Sequence, residues 1–254
     1  MGKQARTLSR QRREAQAAAA RRARNRTRLL AGGGGLIILG LVVAIVVSLV
    51  NAAGRDGVSG SPSTALVVPA GATAAGALPL GAAGAPVRLE VFLDYMCPFC
   101  GRFDRANSAE MERLVADGTV RLELHVLSFL DKASAGSRYS TRAANAVVTV
   151  FDRAPDRVLA FNRALFAGQP AEGSEGLTDD QIADLAADAG VPANVVALFG
   201  RQTFQPWIAK STDAAFAGGI TGTPTVRING TRFDGDLYTA GALTAAIDAA
   251  KGRS

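Results

Sequence analysis

The stretch Phe92-Leu93-Asp94-Tyr95-Met96-Cys97-Pro98-Phe99-Cys100 joins a hydrophobic run to a segment with helical periodicity. The run, Val87 to Leu93, is rich in β-forming residues and predicts a central strand. Pro98 suits the first position of a helix, because proline lacks the N–H that would be unpaired there, and Gly118 ends the helical pattern. The stretch therefore predicts a strand that leads directly into a helix, with both cysteines at the junction.

This position gives the cysteine pair its chemistry. Unpaired N–H groups and the helix dipole stabilise a thiolate at Cys97, and Cys100 lies one turn further on the same face, where it can attack a mixed disulfide. Pro98 restricts rearrangement of the active-site loop, and Phe99 offers apolar contact to a substrate. The alternatives are an inert structural disulfide or two buried thiols.

The rest of the domain predicts an α/β fold. Val120 to Leu127 forms a second strand, which completes a right-handed strand-helix-strand crossover. Helical periodicity then fills about 137–216, with a capping box at Thr178 and Gln181. A hairpin at Asn229-Gly230 and a last helix over about 239–251 follow.

The basic charge of the chain is confined to its beginning. Residues 1–28 hold ten Lys or Arg and a single acidic residue, Glu14, which leaves 18 basic and 21 acidic residues for the remainder. The folded part is mildly acidic, and this excludes nucleic acid as the expected partner.

Leu29 to Val50 carries no charge over about 22 residues, enough for a helix to cross a hydrocarbon layer. We predict a basic cytoplasmic tail over 1–28, a transmembrane helix over 29–50, a flexible Gly/Ala/Ser-rich linker over 51–85 and a domain over 86–254. An uncleaved anchor is favoured over a cleaved signal peptide because the basic lead is long. The expected location is the cell membrane, with a single pass and the domain outside the cytoplasm. Within the linker, Leu78-Pro79-Leu80 is a candidate edge segment.

Two cysteines cannot form a framework of several disulfides, and they leave too few ligands for structural zinc. The candidate Cys and His ligands number three: Cys97, Cys100 and His125. We therefore predict neither a metal nor a cofactor. His125 alternates with hydrophobic residues in the second strand, together with Arg121 and Glu123, and is predicted to be solvated.

The residues 92–100 resemble the active-site segment of the DsbA-like branch of the thioredoxin superfamily. Gly222-Thr223-Pro224-Thr225, followed by Asn229-Gly230, resembles the cis-proline strand and hairpin of that branch. The resemblance runs from about Pro86 to the C-terminus and implies a thioredoxin-like fold with a helical insertion. It also implies that Pro224 is cis and faces the sulfurs, and that the Thr223 backbone pairs with an extended substrate.

Two departures from the family pattern affect the expected chemistry. Many relatives carry an acidic residue six positions before the nucleophilic cysteine, where this chain has Val91. The neighbouring Glu90 points to the other face of the strand, so proton transfer would rely on water or on Asp94. Phe99 replaces a histidine found in strongly oxidising relatives, which leaves the strength of the oxidant open.

The favoured function is thiol:disulfide exchange, with the chain acting as an oxidase on exported proteins that carry free thiols and being reoxidised by a membrane partner. A reductase or isomerase that uses the same pair is the first alternative. The second alternative is a non-catalytic, membrane-tethered binding or assembly module in which the cysteines form a static bridge.

Overall fold

The structure is a computed structural model and describes residues 66–252. The predicted cytoplasmic tail, the transmembrane helix and the first part of the linker, together residues 1–65, lie outside the described residues. Among the helices within 66–252, none is both long and apolar enough to cross a bilayer.

Within residues 66–252, five strands form a mixed sheet in the order β1-β3-β2-β4-β5, so β2 is central, as predicted. The pair β2 and β3 is parallel, with Val87 opposite Val120, and the other pairs are antiparallel. The strands are β1 (Leu78–Leu80), β2 (Val87–Leu93), β3 (Val120–Val126), β4 (Thr225–Ile228) and β5 (Thr231–Arg232).

The helices of the described part lie mostly between β3 and β4, where helical periodicity predicts them. Short 3₁₀ turns at Asp131–Ala133, Pro155–Arg157 and Phe199–Arg201 join some of them. The α-helices are α1 (Pro98–Ala116), α2 (Tyr139–Arg153), α3 (Val158–Ala167), α4 (Asp179–Asp188), α5 (Ala193–Val196), α6 (Gln205–Ala217) and α7 (Ala242–Lys251).

The main core lies on the face of the sheet that carries the alternate residues of β2 and β3. Leu89, Val91, Leu122 and Leu124 are almost fully buried there and pack with side chains from the helices. Burial of this kind contributes about 1.5–3 kcal/mol for each large aliphatic side chain. The helix α1 begins shortly after the C-terminal end of β2, which is anchored in this core. The core therefore fixes the position of the cysteine pair at the start of α1.

The end of the predicted linker belongs to the folded domain. Leu78–Leu80 pairs antiparallel with β3, and Ala77 and Leu78 are fully buried. The edge segment is therefore confirmed, whereas a flexible linker that extends to residue 85 is wrong for these residues. The apolar side chains gain burial against the core, and Pro79 is tolerated because an edge strand leaves one side unpaired.

His125 and Glu123 are buried, at 3% and 8% exposure, so the prediction of a solvated position is wrong. They do lie on the face opposite the main core, as the alternation requires. That face is itself covered in part, because Ala215 of α6 joins Phe92 in a second small cluster. The His125 ring stacks on Phe92, with 4.0 Å between centroids.

Candidate functional site

The cysteine pair occupies the start of α1. Cys97 is the N-cap residue with extended backbone angles, and Pro98 follows at the first helical position. The amides of Cys100 and Gly101 donate to the Cys97 carbonyl at 3.0 and 3.2 Å. Cys97 is 5% exposed and Cys100 is fully buried, and both thiols are free. One sulfur therefore lies near the surface and the other beneath it.

The loop before β4 completes the site. The Thr223–Pro224 peptide bond is cis, as the resemblance implies. The Cys97 Sγ lies 3.3 Å from the Thr223 carbonyl oxygen, to which the protonated thiol donates. Folding thus brings together two segments that are 126 residues apart in the chain.

The two thiols differ in acidity. The pKa of Cys97 is lowered to about 6, chiefly by the hydrogen bond from the Cys100 thiol, with further help from Thr223 and from the amides of Cys100 and Phe99. Burial opposes this shift. Burial and the neighbouring sulfur raise the pKa of Cys100 well above its usual value. At neutral pH the Cys97 sulfur therefore favours the thiolate form, while Cys100 holds its proton.

Gln169, just beyond α3, holds the active-site loop from the side. Its Nε2 donates to the carbonyl oxygens of Tyr95 and Cys97 at 3.0 and 2.8 Å. Gly101 makes this approach possible, because a Cβ at that position would overlap Gln169 Oε1. Sequence reasoning missed Gln169, since nothing in its local pattern links it to a loop about 70 residues earlier.

Asp94 is a fully buried carboxyl three residues before Cys97. It accepts hydrogen bonds from the amides of Met96 and Leu130, both at 2.8 Å, and from the Ser140 hydroxyl at 2.6 Å. Burial and, to a smaller extent, the charge of Cys97 raise its pKa to about 6 against these hydrogen bonds. Asp94 thus holds the loop between β2 and α1 in place and interacts electrostatically with the Cys97 sulfur.

A second buried carboxyl, Asp104, lies one helical turn after Cys100 and is 3% exposed. Asn162 donates to it at 3.0 Å and accepts from the buried Tyr95 hydroxyl at 2.9 Å. Burial, followed by the charge of Glu112, raises the pKa of Asp104 to about 7. The signal that could have identified Asp104 is its four-residue spacing from Cys100, on the helix face that also carries Met111.

Asp104 and Val91 line the same small cavity between α1 and the sheet. Val91 occupies the position at which the resemblance to the DsbA-like branch implies an acidic residue. Asp104 places a carboxyl in the same region, but from α1 instead of from β2.

Several exposed aromatic side chains lie in the segments that form the site. Phe99 is 51% exposed and lies 6.2 Å from the ring of Tyr238, which is 37% exposed. The Arg102 guanidinium lies over both rings, 4.5 Å from the Tyr238 centroid and 5.8 Å from that of Phe99. Phe129, also exposed, precedes the Leu130 amide that binds Asp94. These side chains offer an apolar contact surface next to Cys97.

A family model described as thioredoxin matches residues 73–249, more than two thirds of the chain. The chain belongs to the thioredoxin family. The match begins before β1, in agreement with the finding that Leu78–Leu80 is part of the domain.

Individual thioredoxin-family relatives include redox proteins. Disulfide bond formation protein D of Bacillus subtilis is 29% identical over 179 residues, which cover 69% of this chain and 73% of that protein. The crystal structure of oxidised DsbA from Mycobacterium tuberculosis is 29% identical and has a TM-score of 0.61, covering 69% of this chain and 93% of that chain. These neighbours confirm the resemblance to DsbA-type oxidoreductases.

A further relative is much longer than this chain. The serine/threonine-protein kinase PknE of Mycobacterium tuberculosis is 33% identical over 121 residues, which are 46% of this chain. The match covers 21% of the kinase, so the chain spans about a fifth of the length of that curated relative.

Proposed function

We propose that this chain is a thiol:disulfide oxidoreductase that donates its Cys97–Cys100 disulfide to exported proteins. The observation that carries the proposal is a near-surface sulfur at a helix N-terminus, with its pKa lowered to about 6, beside a buried partner that keeps its proton. A static structural bridge has no need of such a difference in acidity.

The exchange begins with the oxidised enzyme. A substrate thiolate attacks Cys97 Sγ, the bond between the two enzyme sulfurs breaks, and Cys100 leaves and takes up a proton. A second substrate thiolate then attacks the substrate sulfur of the mixed disulfide, and Cys97 leaves as a thiolate. The substrate dithiol is oxidised to a disulfide, and the enzyme pair is reduced to a dithiol that a membrane partner would reoxidise.

Cys100 needs a proton when it is released and must lose it again when the enzyme is reoxidised. Asp104 is suited to this exchange because it is buried one turn away and its pKa of about 7 lies near neutral pH. Burial raises the pKa of Tyr95 well above its usual value, and the charges of Asp104 and Cys100 add to this shift, so both groups interact electrostatically with the Tyr95 ring. Asp104 would thereby take the role of the strand acid that Val91 replaces.

The direction of electron flow follows from which redox state is stabilised. A lowered pKa of Cys97 stabilises the reduced protein at neutral pH and so makes its disulfide a better oxidant. The value of about 6 lies between those of the strongest oxidants, about 3.5, and of thioredoxin, about 7. We expect a reduction potential between about −120 and −270 mV, measured against glutathione.

Thr223 and the aromatic side chains would receive the substrate. An extended segment could pair with the Thr223 backbone while its apolar side chains contact Phe99 and Tyr238. The predicted membrane helix over 29–50 would hold this domain outside the cytoplasm, near newly exported chains. Protease protection of intact cells and spheroplasts tests that location.

The decisive experiment uses the two single-cysteine variants of the full chain. Cys97→Ser should abolish exchange, whereas Cys100→Ser should accumulate mixed disulfides with substrates that a reductant releases. A static bridge gives no mixed-disulfide adducts with either variant, and that outcome would contradict the proposal.

A reductase is the second candidate, because the Cys97 pKa is closer to the thioredoxin value than to that of the strongest oxidants. The measured potential separates the two directions. A value near −270 mV would assign the chain to reduction, and one near −120 mV to oxidation.

A further inference from the structure

A second group of chemically active side chains lies on the sheet face opposite the main core. Glu90 of β2 and Glu123 of β3 are opposite each other in the parallel register, and His125 follows two residues later on the same face. Their ligand atoms all lie within 4.8 Å of one another. All three residues are at least nine-tenths buried.

The acceptor atoms of this cluster are incompletely satisfied. Glu90 Oε2 and His125 Nε2 are buried and have no hydrogen-bond partner within the described residues. Buried polar atoms without partners are costly, so each requires an explanation. Here two of them belong to the same cluster.

Arg88 and Arg121 form ion pairs with these carboxylates, and Arg88 Nη1 donates a hydrogen bond to Glu123 Oε2, but all of these contacts are long. Arg88 lies 3.6 Å from Glu90 and 3.4 Å from Glu123, and Arg121 lies 3.7 Å from Glu123. These separations are longer than the 2.7–2.9 Å typical of charge-assisted hydrogen bonds. The Arg88 side chain is 47% exposed, so it can turn to solvent without burying its charge.

The position of His125 suits a ligand. Its Nε2 is buried without a hydrogen-bond partner within the described residues, and stacking on Phe92 fixes the plane of the ring.

We propose that Glu90, Glu123 and His125 form a binding site for a divalent transition-metal ion of the Zn²⁺ class. Two carboxylates and one imidazole would neutralise the ion and leave a fourth position for water. An imidazole ligand favours Zn²⁺ over Ca²⁺ or Mg²⁺, which prefer oxygen donors only. Ligand atoms around a tetrahedral ion lie roughly 3.3–3.6 Å apart, given bonds of about 2.0–2.2 Å, so the widest separation in the cluster would have to shorten by about one ångström. A count of Cys and His alone omits these carboxylates, which is why the sequence predicted no metal.

The test is calorimetric titration of the full chain with ZnCl₂, and with CaCl₂ in a parallel arm. The protein carries no histidine tag and is kept oxidised, because the reduced cysteine pair would bind Zn²⁺ itself. We expect saturable binding of one Zn²⁺ per chain and no comparable binding of Ca²⁺. His125→Asn and Glu123→Gln should each weaken Zn²⁺ binding by at least about tenfold.

Two further variants make the result specific. Arg88→Gln should tighten Zn²⁺ binding several-fold, because Arg88 competes for the same carboxylate oxygens. Glu112→Gln removes a different carboxylate with a buried, unpartnered oxygen and should leave the affinity unchanged. Absence of Zn²⁺ binding, tighter binding of Ca²⁺, or equal effects of the Glu112 and Glu123 variants would overturn the proposal. If His125→Asn does not fold, as judged by circular dichroism, the Glu123 and Arg88 variants still decide it.

Discussion

At the scale of single residues, the reactivity of Cys97 comes from a few short-range contacts. The Cys100 thiol, the Thr223 hydroxyl and the backbone amides of the first helical turn all favour its thiolate. Burial acts against it, so these contacts must outweigh the loss of solvation. The same contacts should set how good a leaving group Cys97 is.

Thr223→Val tests the contribution of one hydroxyl with almost no change of shape. We expect it to raise the pKa of Cys97 by about one pH unit, the equivalent of a hydrogen bond to a charged group. The pH dependence of thiolate absorbance in the reduced chain measures this. Thr225→Val is the matched control, since the Thr225 hydroxyl donates to the Gly222 carbonyl. An unchanged pKa in Thr223→Val would contradict the assignment.

At the scale of elements, the loop between β2 and α1 is held by segments that approach it from elsewhere. Leu130 and Ser140 bind Asp94, and Gln169 binds two of the loop's carbonyl oxygens. These contacts come from the region after β3, which covers the cysteine pair. The helical region thus sets the geometry of the site as well as enlarging the core.

Gln169→Met should loosen this loop, because it removes two hydrogen bonds while keeping a side chain of similar length. We expect a loss of about 1–3 kcal/mol in the free energy of unfolding and altered alkylation kinetics at Cys97. Gln181→Met removes the capping-box partner of Thr178 and should also lower stability. Only Gln169→Met should change the rate of Cys97 alkylation. The same alkylation rate in both variants would contradict the role of Gln169 in holding the loop.

The edge strand β1 gives a second prediction for an element. Leu78→Ala should lower the free energy of unfolding by about 2–5 kcal/mol, because Leu78 is fully buried against β3. Leu66→Ala, at a position that is 41% exposed, should change it by less than about 0.5 kcal/mol. Urea unfolding of the full chain measures both. Equal, small effects would mean that residues before Pro86 are not part of the stable domain.

At the scale of the whole molecule, the buried carboxyls tie stability to pH. Asp94 and Asp104 hold their protons more tightly in the folded state than in the unfolded state, where the usual pKa is 3.8. As pH rises from about 4 to 7, the unfolded chain ionises first, and the folded state loses stability. His125 acts in the opposite direction, since its lowered pKa makes stability rise between about pH 4 and 6.5.

Asp104→Asn isolates one of these contributions. As the pH rises from 4 to 8, the free energy of unfolding of the variant should increase by about 2–4 kcal/mol relative to that of the unchanged protein. The reason is that the variant no longer has to ionise a buried Asp104. Urea unfolding of the oxidised chain at both pH values gives the difference. Asp117→Asn is the control of opposite sign, since hydrogen bonds to Thr119 lower the pKa of the exposed Asp117. A pH profile that Asp104→Asn leaves unchanged would show that Asp104 is not the buried titrating acid.

Local patterns in the sequence were sufficient for the strand β2, the start of α1 and the Asn229-Gly230 hairpin. In each case the signal lies within a few residues: β-forming residues in sequence, a proline at a helix start, and a dipeptide that adopts positive φ. The redox pair was also found from its position at the junction of a strand and a helix. The cis Pro224 was expected only from the resemblance to DsbA-like proteins, and the structure has this bond cis. The relatives confirm that resemblance.

Neighbouring residues set backbone preferences and hydrogen-bonding needs, so the sequence alone was enough to place two cysteines where a strand meets a helix start. The contacts of Gln169 with the loop, the burial of Asp104 and the burial of His125 beside two glutamates follow from tertiary packing. Burial and desolvation depend on which segments pack together, and those segments are far apart in the chain. Charge and pKa at these positions are therefore properties of the fold and not of the local sequence.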